Sequence, residues 1–264
     1  MHTTKIYTDM DMTSLDGITT FAGEVSFAAF ILATVLLFVV VSKLGKSAMQ
    51  TIVMYLAIAT GVFVAISAFL TLGADFFRIQ DSSVDIWWHI LFYMSFAFYF
   101  VALRMLVGLG TSETVPDQDK DMNQARLWGF IALCGVVLVF LLPSWTENMV
   151  AMYTNSPLDS FGVHHFIAFI FAGGVAWYLW SARERLGQVG RLIANPIIIA
   201  VVALALQHLW ELLNESWRVI VVSETVGEGV EKIFLLIAGA SLIYGGWKLL
   251  QFAKASAAPA PAAM

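Results

Sequence analysis

The chain is short of charge. Asp, Glu, Lys and Arg make up 12% of its 264 residues, roughly half of what a soluble domain carries, and this excludes an ordinary water-soluble domain. It has a single cysteine, Cys134. That excludes an internal disulfide, a thiolate zinc site and an iron–sulfur cluster. Lying in an apolar run, Cys134 reads as a small buried core residue. The first 19 residues are polar and lack a basic stretch ahead of an apolar core, so no cleavable signal peptide is expected. Internal repeats are missing too, as is any linker long enough to lead to a second folded domain.

What the chain has is apolar length. Hydrophobic residues make up 59% of it and the mean hydropathy is +0.80. A helix needs about 20 apolar residues to cross the hydrocarbon, and seven such runs are read at 20–42, 51–73, 86–109, 127–143, 161–182, 195–220 and 229–251. The breaks between them are polar or helix-breaking. The expected fold class is an all-α integral membrane protein, a seven-transmembrane-helix bundle over 20–251. Residues 1–19 form a short extracytoplasmic segment, and 252–264 form a flexible Ala/Pro-rich cytoplasmic tail.

Basic residues set the expected orientation. With the amino terminus outside, Lys43, Lys46, Arg104, Lys120, Arg126, Arg183, Arg185, Arg191, Lys248 and Lys254 fall on the cytoplasmic side, and only Lys5, Arg78, Arg218 and Lys232 fall outside. Positive charge is retained on the cytoplasmic side of membranes, so the carboxyl terminus is expected inside, in a cytoplasmic membrane of prokaryotic type. Trp87, Trp88, Trp145 and Trp217 then form an outer aromatic belt, and Trp128, Trp180 and Trp247 an inner one. Small residues at helix-packing spacing, Ala168, Ala172 and Ala176 in the fifth run and Gly239, Ala240, Gly245 and Gly246 in the seventh, let helices approach closely.

All five histidines fall on the outer side under this placement: His2, His89, His164, His165 and His208. Ionisable groups in hydrocarbon are costly and usually functional, so their distribution locates a site. At about 100° per residue, Gln207, His208, Glu211, Asn214, Glu215 and Arg218 share one face of the sixth run. The row His208, Glu211, Glu215 descends from the outer surface toward mid-membrane, with His208 roughly 13 Å below Trp217. His89 begins the third run. In the fifth run His165 shares the small-residue face, while His164 points to the side as an interfacial residue. Glu24, Asp75 and Glu228 lie at run ends, where an acidic residue is more often interfacial than a ligand, and Glu231 starts the seventh run beside Glu228.

Imidazole is the commonest protein metal ligand, and carboxylates complete such sites. The candidate metal ligands are His89, His165, His208 and Glu211, supported by Glu215, Asn214 and Arg218. A thiolate-free His/carboxylate set suits a divalent transition metal, Fe, Zn, Cu or Mn. Di-iron bundles use Glu-x-x-His twice, whereas this chain has His-x-x-Glu once, which disfavours a dinuclear assignment. Haem b is the competing cofactor, with axial ligands from the same histidines and walls from Phe92, Phe96 and Phe166, although a haem pocket has no need of a row of glutamates.

In topology the chain resembles the microbial rhodopsins, but a retinal lysine belongs midway along the seventh span, and Lys232 and Lys248 sit at its two edges. Seven-helix membrane hydrolases of the ceramidase and progestin-receptor-like groups also gather His and acidic residues near one face, yet their paired His-x-x-x-His pattern does not occur here. The function expected from the residues is metal or haem binding in the outer half of the bundle. Its use would be redox chemistry or electron transfer within a larger membrane complex, with lipid and protein partners and no nucleic acid. A structural or sensory subunit, whose His/Glu row only fixes helix register, is the alternative reading. Cation or proton conduction is disfavoured by the apolar stretch Ile197 to Leu206.

Overall fold

The computed structural model describes residues 14–77, 81–109, 118–141, 152 and 155–257. Among them there is no strand, and the long elements are helices: α1 (Leu15–Lys43), α2 (Ala48–Phe77), α3 (Asp81–Leu109), α4 (Gln118–Leu141), α5 (Val163–Ala182), α6 (Gly187–Glu211) and α7 (Glu224–Ala257). A π-helical turn, Leu212–Ser216, continues α6, and a single turn at Pro157–Ser160 precedes α5. Among the described residues, six helices are long and apolar enough to cross a membrane: α1, α2, α3, α5, α6 with its π turn, and α7. The chain is therefore a helical, membrane-type protein. The fourth run lies in α4, which begins at Gln118, ahead of the run itself.

Local chemistry sets the ends of the helices. Ser14 caps α1, its Oγ accepting from the Gly17 N–H at 3.1 Å, as an N-cap serine does for the otherwise unpaired first donors. The helices close into a ring in the order α1, α2, α3, α5, α6, α7, with α1 and α7 sharing the most extensive contact and α3 and α5 the thinnest in the ring. Close approach of α1 and α7 needs Gly239, since a Cβ there would meet the Ala29 Cβ at 2.9 Å. Ala168, Ala172 and Ala176 are buried in α5 as their spacing predicts.

α4 stands outside the ring, packed mainly on α2. This corrects the expectation for Cys134, which is exposed on α4 rather than buried. An apolar run does not by itself distinguish a lipid-facing residue from a core one. Trp88 departs in the opposite sense. Instead of anchoring at the interface it is 3% exposed and packs its ring 4.8 Å from that of His208. Trp128, Trp180, Trp217 and Trp247 are exposed, and Trp145 and the Trp87 side chain lie outside the described residues.

One end of the bundle gathers the starts of α1, α3, α5 and α7 and the end of α6. Thr19 Oγ1 reaches the Thr225 carbonyl at 3.5 Å, the Trp217 indole donates to the Phe161 carbonyl at 3.1 Å, and the Trp210 indole donates to the Gly227 carbonyl at 3.2 Å.

Candidate metal centre

Three helices deliver the polar side chains to this end. The α-helical part of α6 stops at Glu211, one turn after His208, so His208 and Glu211 keep the i, i+3 relation that stacks them on one face. The expected straight helix to residue 220 does not form. From Leu212 the chain makes a π turn, closed by Trp217 N–H donating to the Leu212 carbonyl at 2.8 Å. A π turn advances each residue by less than an α turn, so Asn214 leaves the face predicted for it, whereas Glu215 still reaches His165. Such turns cluster at functional sites. Arg218 then adopts φ 50, a region non-glycine residues seldom occupy, and faces solvent rather than His208.

The start of α5 is pressed onto this π turn. Gly162 has φ 71, and a Cβ on it would overlap Ser216 Oγ and approach Leu212 Cδ1 at 2.9 Å. Glycine is thus required for both conformation and space. Tyr93 of α3 donates its hydroxyl to the His164 carbonyl at 2.8 Å, tying α5 to α3. These contacts fix where His165 meets His89.

His89, His165, His208 and Glu211 are all buried, and one donor atom from each lies within 4.8 Å of the others. His89 Nε2 is 3.2 Å from His165 Nδ1. His165 Nδ1 is 3.0 Å from Glu211 Oε2, and His208 Nδ1 is 2.7 Å from the same oxygen. With metal–nitrogen bonds of about 2.0–2.1 Å, neighbouring donors of a tetrahedral centre stand about 3.3 Å apart. Three of the donor separations, 2.7–3.2 Å, are at or a little under that edge and all lie within 4.8 Å, so this group of residues could hold a metal ion.

Around the four, Gln207 Nε2 donates to Glu211 Oε1 at 3.0 Å and orients the carboxylate. Glu215 Oε2 lies 3.9 Å from His165 Nε2, behind the ring nitrogen that faces away from Glu211. Phe92 meets the His208 ring edge-on at 4.2 Å and stacks on Phe96 at 4.4 Å. Phe166, by contrast, is 40% exposed and walls nothing at the centre. His208 Nε2 and Gln207 Oε1 are buried without a hydrogen-bond partner. Such a group costs on the order of 1–3 kcal/mol.

The remaining candidates separate by position. His164 is not among the four donors, but it does not stand aside either: its ring lies 4.0 Å from that of His165 and 4.5 Å from that of His89, and its Nδ1 is 3.9 Å from Asp159 Oδ1. Asn214 turns toward α7, where a Cβ on Gly227 would meet its Nδ2 at 2.8 Å. Glu24 and Glu228 are exposed, and Glu228 pairs with Lys232 at 2.7 Å. His2 and the Asp75 side chain fall outside the described residues. Three contributors were not assigned from sequence: Trp88 against His208, Gly162 at the π turn, and the Gln207–Glu211 hydrogen bond. Only the last had a signal there, the i, i+4 spacing of two polar residues in an apolar run.

No protein-family model matches the chain, and no curated protein or solved structure is similar to it. The functional reading therefore rests on the geometry alone.

Proposed function

We propose that this is an integral membrane protein that keeps one divalent transition-metal ion between α3, α5 and α6, bound by His89, His165, His208 and Glu211. The observation that carries the reading is the convergence of lone-pair atoms: His165 Nδ1 and His208 Nδ1 approach one Glu211 oxygen at 3.0 and 2.7 Å, and His89 Nε2 stands 3.2 Å from His165 Nδ1. Three imidazoles and a carboxylate suit Zn(II), Fe(II/III), Mn(II) or Cu(II). Haem b fits less well, because Glu211 Oε2 fills the gap between His165 and His208 where a macrocycle would have to pass.

The ion is held rather than conducted. Beyond the centre α6 buries Ile197, Ile198, Val201 and Leu204. The nearest deeper polar groups are bonded internally: Ser95 Oγ donates to the Ala59 carbonyl at 2.8 Å, and Tyr99 and Thr60 share a hydrogen bond at 3.0 Å. Were the ion Fe, Cu or Mn it would serve one-electron redox chemistry with a partner in a membrane complex, and the positive-inside bias of the sequence supports a position in the extracytoplasmic half of a cytoplasmic membrane.

Elemental analysis of the purified protein tests the centre. About one transition-metal ion per chain is expected, lost in His208→Ala and His165→Ala. A full complement of ion in both variants, or none in the unaltered protein, removes the proposal. Retained metal with no change of absorbance between oxidised and reduced samples would keep the centre and discard its redox use. The competing structural reading, favoured by the Gln207–Glu211–His208 hydrogen bonds, predicts that the His208→Ala protein loses stability and no ion.

A further inference from the structure

Beside the centre lies a polar cleft of about 590 Å³, lined by Asn214, Glu215, Arg218, Val222, Glu224 and Glu228 among others. Glu215 belongs to both places. Its side chain is 53% exposed, while its Oε2 stands 3.9 Å from Nε2 of the buried His165. We propose that a divalent transition-metal cation loads the centre through this cleft, with Glu215 as the doorway. The inference rests on the metal-centre reading above and adds the path and the residue that governs it.

Three observations support the path. First, the donors are closed off elsewhere: Trp88 and Phe92, both nearly inaccessible, cover His208 from α3. The groove at the thin α3–α5 seam is lined by Phe100, Phe166, Ile170 and Phe171, so an ion there would meet hydrocarbon and no ligand. Second, the cleft lining holds Glu215, Glu224 and Glu228 against Arg218, with Lys232 paired to Glu228. A concave surface with a net negative balance raises the local concentration of cations. Third, Glu231 of α7 comes within hydrogen-bonding reach of Glu215, and its Oε1 is buried without a partner.

Two carboxyl groups at this distance repel when both are ionised and are held together by a shared proton or by a cation, so an arriving cation takes the proton's place between Glu215 and Glu231 and the proton leaves to water. The ion then exchanges water for a Glu215 oxygen, and that oxygen for the nitrogen and oxygen donors of the centre. Apart from that proton, only coordination bonds form and break, and no electron changes hands.

The test follows Co²⁺ loading of the metal-free protein in nanodiscs by stopped-flow absorbance. Two variants change the cleft without touching a donor: Val222→Trp, which fills it, and Glu224→Gln combined with Glu228→Gln, which removes its charge. Either should slow loading by about tenfold or more at an unchanged end point of one Co²⁺ per chain. The Gln pair should also flatten the dependence of the rate on ionic strength. Equal rates in both variants and in the unaltered protein overturn the path and leave the centre standing. Failure of the unaltered protein to take up stoichiometric Co²⁺ overturns the centre, and the path with it.

Discussion

At the scale of single residues, the proposed centre would depend on groups that are not themselves among its four donors. Gln207 holds one oxygen of Glu211 at 3.0 Å, which leaves the other for His165 and His208. Replacing Gln207 by Leu keeps the bulk and removes this hold. An affinity loss of about 10–100-fold is expected, read by chelator competition with the helical content unchanged. Glu211→Gln is expected to be more severe, because it removes the only carboxylate among the four donors, and it should abolish stoichiometric binding in the same titration. The exposed pair Lys46–Asp119, with side chains 79% and 73% accessible, is a contrast. Asp119→Asn should change thermal stability by no more than about 0.5 kcal/mol. The His and Glu residues of the centre were legible in the sequence because a charged or imidazole group inside an apolar run is costly and conspicuous. The burial of Trp88 was not, since a tryptophan near a run end fits an interfacial belt equally well.

Among elements, the α5 start and the π turn act as one unit. Gly162→Ala would force a methyl group into Ser216 and a side chain onto a backbone at φ 71. The expected cost is about 1–3 kcal/mol together with loss of metal, measured by thermal unfolding and elemental analysis. Adding Ser216→Gly should recover part of the loss, as it removes the collision and leaves the backbone strain. Helix periodicity located the third, fifth and sixth helices well enough to bring His89, His165 and His208 to one end. It could not foresee the π turn, because a uniform 100° step accumulates an azimuthal error past Glu211. Asn214 and Arg218 were misplaced for that reason alone. The position of α4 was hidden for a different one: in a bilayer lipid tails are as apolar as leucine, so a helix outside the ring carries the same composition as one within it.

For the whole molecule, the candidate centre joins α3 to α5 and α6 across the thinnest contact in the ring. An ion bound there favours the folded bundle by linkage. Saturation at about 100 times the dissociation constant is worth about 2.7 kcal/mol, so chelation should lower the unfolding temperature and re-addition should restore it, with no such response in His208→Ala. The peripheral helix has a practical consequence of its own. Cys134 is the only thiol in the chain and is exposed on α4, a helix that contributes none of the four donors. The natural sequence therefore carries a ready handle for a single spin label, and a paramagnetic ion at the centre would give one ruler across the bundle without any engineered cysteine.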